Sequence, residues 1–126
     1  MASTKINSML LASADPERLR SWYVRALGPD SNEDQGVYGI LGFGGFYLLI
    51  DKRDDVGERN PEPGRMIINF DVEDARATAA KLDELGVEWL AKLEDRDGSL
   101  FATAIDPDGN YVQIIQLSEA AKQSMS

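Results

Sequence analysis

Proton transfer in this chain must fall to Asp, Glu, Tyr or Lys, because its 126 residues include neither His nor Cys. That absence removes the Ser–His–Asp triad, the HExxH zinc site, thiol nucleophiles, iron–sulfur clusters and disulfides. What remains for fixing a ligand is amides, hydroxyls, aromatic rings and isolated cations. Asn69 and Gln113 lie inside the apolar runs Met66-Ile67-Ile68-Asn69-Phe70 and Tyr111-Val112-Gln113-Ile114-Ile115. A polar group so placed needs a partner, from the protein or from a ligand. Tyr111 serves equally as core or as a ligand platform. Trp22 falls on a helical apolar face and reads as packing. Trp89 alternates with Val87 and Ala91, so it could stack on a planar ligand or lie at a contact between chains. Arg65 either neutralises an anionic group or sits in solvent at the mouth of a strand. Asp106 and Asp108 read as turn formers. Glu17, Glu73, Asp83 and Glu84 read as a solvated helix surface.

Thirteen basic residues against twenty-two acidic ones give a net charge of −9. Such a field repels phosphate backbones and argues against nucleic-acid binding. It attracts a cationic small molecule, although solubility alone accounts for it as well. The run Met9-Leu10-Leu11-Ala12 is too short for a signal-peptide core or a membrane span, so a soluble cytoplasmic protein is expected.

The elements that must position these side chains repeat. Residues 5–12 form a strand candidate. Asp15-Pro16-Glu17 then starts a helix, with Asp as N-cap, Pro at N1 and an acid in the first turn. Leu19, Trp22, Tyr23 and Ala26 share one face of it, and Leu27-Gly28 ends it. Residues 29–36 are polar and read as loop. Residues 37–43 and 46–51 read as strands around Gly44-Gly45. The second half follows the same plan. Residues 65–71 read as a strand, and Asp74 caps a helix whose face carries Ala75, Thr78, Leu82 and Leu85. Gly86 stops that helix, and strands are expected at 87–93, 100–105 and 111–117. Asp15 lies seven residues after Ser8, as Asp74 does after Ile67. The expected organisation is a βαβββ module over 5–51, a linker over 52–64, a second module over 65–117, and a frayed tail over 118–126, all within one domain of 1–126.

Four stretches, in order, resemble the vicinal oxygen chelate superfamily, which includes glyoxalase I, bleomycin-resistance proteins, fosfomycin-resistance enzymes and extradiol dioxygenases. They are Asp15-Pro16-Glu17-Arg18-Leu19-Arg20-Ser21-Trp22-Tyr23 with Leu27-Gly28; Phe70-Asp71-Val72-Glu73-Asp74; Leu82 with Leu85-Gly86; and Phe101 to Ile115 around Asp106-Pro107-Asp108-Gly109-Asn110. The resemblance covers residues 5–117. It implies an α+β fold of two βαβββ modules, with curved mixed sheets facing a shared cavity and helices outside, and frequently a homodimer.

Enzymes of the superfamily resemble one another in a metal centre of His, Glu or Gln. Those ligand positions fall here on Ser8, Ile67, Gln113 and Leu48, or Leu49 if the hairpin slips by one. One hydroxyl, one amide and two aliphatic side chains do not offset the lost hydration of a divalent ion, so no metal and no other cofactor are expected. Strand alternation with Ser8, Ile67, Gln113 and Leu48 facing inward brings Ile6, Leu10, Arg65, Asn69, Tyr111 and Ile115 to the cavity, together with Phe46 and Ile50. No inward carboxylate is expected. The candidate ligand-binding set is therefore Ser8, Leu48, Arg65, Ile67, Asn69, Trp89, Tyr111 and Gln113, with no catalytic residue. The function this implies is metal-free binding of a small aromatic or cationic compound, such as an antibiotic, by sequestration. The competing class is an enzyme of the same superfamily, a lyase, isomerase or dioxygenase, using a non-standard site.

Overall fold

The computed structural model describes residues 3–36 and 38–125. Val37, which the sequence places in a strand, lies outside the described residues. The chain divides into two compact units, residues 1–59 and 60–126.

The first unit contains β1 (Ser8–Ser13), α1 (Pro16–Leu27), β2 (Ser31–Gln35), β3 (Tyr38–Phe43) and β4 (Phe46–Lys52). Its sheet runs β1-β4-β3-β2, with β1 parallel to β4 and the other pairs antiparallel. The parallel pair exists because α1 carries the chain back across the sheet before β4 is added at its side. Asp15 caps α1 by accepting from the Arg18 amide at 3.2 Å, and Pro16 supplies the pre-set first turn. Gly28 closes it at φ 57°, where a side chain would be strained. Leu19, Trp22, Tyr23 and Ala26 are buried, as their helical spacing requires. The sheet side of this core is Leu41, Leu48 and Ile50, each no more than 1% exposed. Burying one such side chain contributes about 1.5–3 kcal/mol.

β2 corrects the expectation of a loop at 29–36. Its sequence, Ser-Asn-Glu-Asp-Gln, has no apolar residue, so neither propensity nor alternation signals a strand. It is held instead by ladder bonds to β3 and by Arg20 of α1. The Arg20 guanidinium donates to Asn32 Oδ1 at 2.9 and 2.6 Å and to Asp34 Oδ1 at 2.5 Å. Asn32 and Asp34 are two apart, so both sit on the helix side of the strand. Gly39 makes room for this clamp. A Cβ there would lie 2.9 Å from Arg20 Cζ and Nε.

The second unit contains β5 (Ile68–Asp71), α2 (Ala75–Glu84), β6 (Glu88–Arg96), β7 (Ser99–Ile105), β8 (Tyr111–Gln116) and α3 (Glu119–Met125). Its sheet order is β5-β8-β7-β6, the same plan as the first unit, with β5 parallel to β8. Asp74 caps α2 through the Ala77 amide at 3.0 Å. The Gln116 side chain, from the end of β8, accepts from the Ala75 amide at 2.8 Å. Ala75, Ala79 and Leu82 of α2 are buried, as are Ala102, Ala104, Val112 and Ile114 of the sheet.

The β7–β8 turn is organised by Asp106. Its Oδ1 accepts from the amides of Asp108 and Asn110 at 2.9 and 3.0 Å, and its Oδ2 from the Asn110 side chain at 2.9 Å. Gly109 takes φ 83° to complete the turn. The tail is helical rather than frayed. Ser118 caps α3 through the Ala121 amide, and the Ser118 amide donates to Ser99 Oγ at 2.9 Å, tying the helix to β7. No helix among the described residues is long and apolar enough to cross a membrane.

The architecture is therefore α+β, two four-stranded mixed sheets each backed by a helix.

Candidate functional site

Each sheet has one face covered by its helix and one open face, and alternation decides which side chains reach the open one. In the first unit Leu48 is opposite Leu41 in register, and both are buried against α1. The open face is the other parity. Ser8 pairs with Tyr47, which pairs with Gly42, which pairs with Ser31. The next open-face row is Leu10, Leu49, Ile40 and Glu33. Tyr47 and Leu10 are exposed, while Met9 and Leu11 turn to the helix side. This corrects the sequence reading by one residue: Leu49, not Leu48, shares the face of Ser8. Phe46 and Ile50, expected to accompany Leu48 inward, accompany it on the covered side.

In the second unit Asn69 pairs with Gln113, which pairs with Thr103. The three polar side chains form one row across β5, β8 and β7. Among the described residues none of the three has a side-chain hydrogen-bond partner, and none is a fully buried unsatisfied group. Tyr111 and Ile105 flank the row on one side, and Ile115 and Phe101 on the other. The result is a polar stripe between two largely apolar ones, the pattern that orients a small organic molecule while burying its apolar surface.

Thr103 joins this candidate row, although the sequence expectation did not include it. The Asp106 turn was the available signal, since it pairs Ile105 with Tyr111 and so carries Thr103 onto Gln113. Carboxylates also reach this face, contrary to the sequence expectation. Asp71 is in register with Ile115, Glu94 with Phe101 and Glu88 with Ile105. Glu94 forms an ion pair with Arg96, whose guanidinium lies 5.3 Å from the Phe101 ring centroid.

The remaining candidates lie elsewhere. Arg65 is bonded to Glu62 at 2.9 Å and is 72% exposed, so it sits in solvent. Ile67 precedes β5 and is exposed. Trp89 is on the helix side. It pairs with buried Ala104, and its indole N–H donates to Asp83 Oδ1 of α2 at 2.7 Å. Strict alternation fails there because β6 carries two register shifts, between Trp89 and Ala91 and between Ala91 and Glu94.

At the metal positions implied by the resemblance stand the Ser8 hydroxyl, the aliphatic chains of Leu49 and Ile67, and the Gln113 amide. Ser8 Oγ already donates to Asn7 Oδ1 at 2.9 Å. This donor set does not fit a divalent ion, which requires several charged or imidazole ligands. Among the described residues no group of three or more acidic side chains could hold a metal elsewhere.

Comparison with known structures finds the same fold repeatedly. The oxidase ChaP-H2 is 20% identical, with 93% of this chain and 96% of that one covered at a TM-score of 0.76. TnmS3, an antibiotic-binding protein from Streptomyces sp. CB03234, is 22% identical, with coverage of 94% and 99% and a TM-score of 0.72. Lactoylglutathione lyase from Agrobacterium tumefaciens is 16% identical, with coverage of 91% and 95% and a TM-score of 0.71. No curated protein sequence matches. A family model described as a glyoxalase-like domain matches residues 8–115, from the start of the Ser8 strand into the Gln113 strand, and so spans both βαβββ units. By that match the chain belongs to the glyoxalase-like domain family.

Proposed function

We propose that this protein binds a small, partly apolar organic cation on the open face of its second sheet, without a metal, and acts by sequestration. The observation that carries the reading is the row Asn69–Gln113–Thr103, three side chains without hydrogen-bond partners among the described residues, between aromatic and aliphatic stripes. Tyr111 and Phe101 supply flat apolar surface, and the amides and hydroxyl fix orientation. The carboxylates of Asp71 and Glu88, with the net charge of −9, favour a positively charged guest. The antibiotic-binding TnmS3 shares the fold, which makes an aromatic or cationic antibiotic a fitting guest by analogy. We further propose a homodimer, since Ile6 ahead of β1, Leu10 in β1 and Tyr47 in β4 leave apolar surface exposed.

An enzymatic reading draws on the same carboxylates, which supply an acid–base group that the sequence did not place there.

A thermal-shift titration after chelator treatment tests the proposal. The probes are daunorubicin, metal-free bleomycin, and the chlorides of nickel, zinc and manganese. A guest at a hundredfold its Kd adds about 2.7 kcal/mol, a rise in Tm on the order of 10 °C for a domain of this size. The expected result is stabilisation by an organic cation and none by the metals. Stoichiometric retention of a divalent ion by the purified protein, or stabilisation by metal alone, would overturn it.

A further inference from the structure

The second unit holds a cavity of about 340 Å³ on the helix side of its sheet, lined by Arg76, Ala79, Ala80 and Asp83 of α2 and by Trp89, Lys92 and Leu93 of β6. It lies on the opposite side of the sheet from the Asn69–Gln113–Thr103 row and is independent of the function proposed for that row.

Comparing the two repeats shows why the space is open. In the first unit the gap between helix and edge strand is filled by Arg20, five residues after the capping Asp15. Only about 90 Å³ is left there. Five residues after the capping Asp74 stands Ala79. The plug is missing, and Ala80 beside it is equally small. The two bulges in β6 bring Lys92 and Leu93 to the cavity wall.

The wall chemistry selects a charge. Neither Arg76 nor Lys92 has an ion-pair or hydrogen-bond partner among the described residues. The nearby carboxylate of Asp83 is engaged by the Trp89 indole N–H at 2.7 Å, which also fixes the ring at the wall. Two unpaired cations beside an indole and two alanines suit a flat apolar molecule ending in a carboxylate. A chain with a net charge of −9 disfavours anions at long range, so the local pair must supply the attraction. The volume is that of a small-ligand site.

We propose that the cavity between α2 and β6 is a binding site for a small aromatic carboxylate, held by Arg76 and Lys92 against Trp89.

The test is an NMR titration of the intact ¹⁵N-labelled protein with 2-naphthoate, and with neutral 2-naphthamide as the matched control. The Trp89 indole N–H and the Ala79 and Ala80 amides are followed, with Trp89→Phe used only to assign the indole signal. The expected result is a saturable shift of these signals by naphthoate and at least tenfold weaker binding of the amide. A combined Arg76→Gln and Lys92→Gln variant, altered at two exposed positions, should bring naphthoate down to the level of the amide. Ala80→Phe, also at an exposed position, should fill the cavity and remove binding of both. The proposal fails if naphthoate and naphthamide bind equally, if the charge variant binds naphthoate unchanged, or if no saturable shift occurs. It fails equally if the shifts fall at Asn69 and Gln113, which would place the ligand on the open face.

Discussion

Gln113 illustrates how function and stability separate at a single residue. Its amide sits between Asn69 and Thr103 with no protein partner among the described residues, so the fold gains nothing from its polarity. Replacing it by Leu removes a half-buried polar group, and stability should change by less than about 0.5 kcal/mol. Affinity for the organic guest should nevertheless fall about tenfold, because one hydrogen bond in a confined site is worth about 1.4 kcal/mol. Urea unfolding and a binding titration on the same variant check both halves. A variant that loses stability and keeps affinity would make Gln113 a structural residue. Asp106 is the converse case. Its carboxylate satisfies two backbone amides and the Asn110 side chain while being 2% exposed. Asp106→Ala strands those donors, so a loss of about 2–4 kcal/mol is expected, read as a lower urea midpoint.

β2 is the element whose stability comes least from its own sequence. It depends on Arg20, which depends in turn on the missing side chain at Gly39. Gly39→Ala should displace the guanidinium and cost about 1–2 kcal/mol, and so should Arg20→Ala. If one clamp underlies both losses, the double variant should lose little more than either single one. A coupling of about 1 kcal/mol or more in a double-mutant cycle is the expected result, whereas simple additivity would show that Gly39 serves something else. The same physics explains what could be read from the chain beforehand. α1 and α2 were legible because Asp15, Asp74, Gly28 and Gly86 mark their ends and the apolar faces carry helical spacing. β2 was not, since a polar strand held by a distant arginine leaves no pattern in its own five residues. The face of β4 slipped by one because Phe46-Tyr47-Leu48-Leu49-Ile50 is apolar throughout, so alternation has nothing to act on. Trp89 was misplaced for a different reason: two bulges in β6 break the period that the reading assumed. Asn69, Gln113 and Tyr111 share one face because β5 and β8 are regular where they pair, which leaves their alternation intact.

At the scale of the molecule, charge acts where no single contact does. Twenty-two acidic residues against thirteen basic ones give the molecule a negative field. The exposed ion pairs Arg53–Asp55, Arg65–Glu62 and Lys122–Glu119 add little to stability. The field's effect should therefore appear in how fast a cationic guest arrives rather than in how well the protein folds. Stopped-flow binding of a cationic aromatic guest should show an association rate that falls about tenfold between roughly 20 and 500 mM salt, as the screening length contracts from about 20 to about 4 Å. Dissociation should change much less, because stacking and the Asn69–Gln113–Thr103 bonds hold the bound guest. A neutral analogue of the same shape is the control, and its association rate should be flat across the range. Equal salt dependence for the two compounds would mean that the acidic surface serves solubility alone. A salt effect confined to dissociation would instead assign the selectivity to a direct ion pair with Asp71 or Glu88, at the site itself rather than in the field around it.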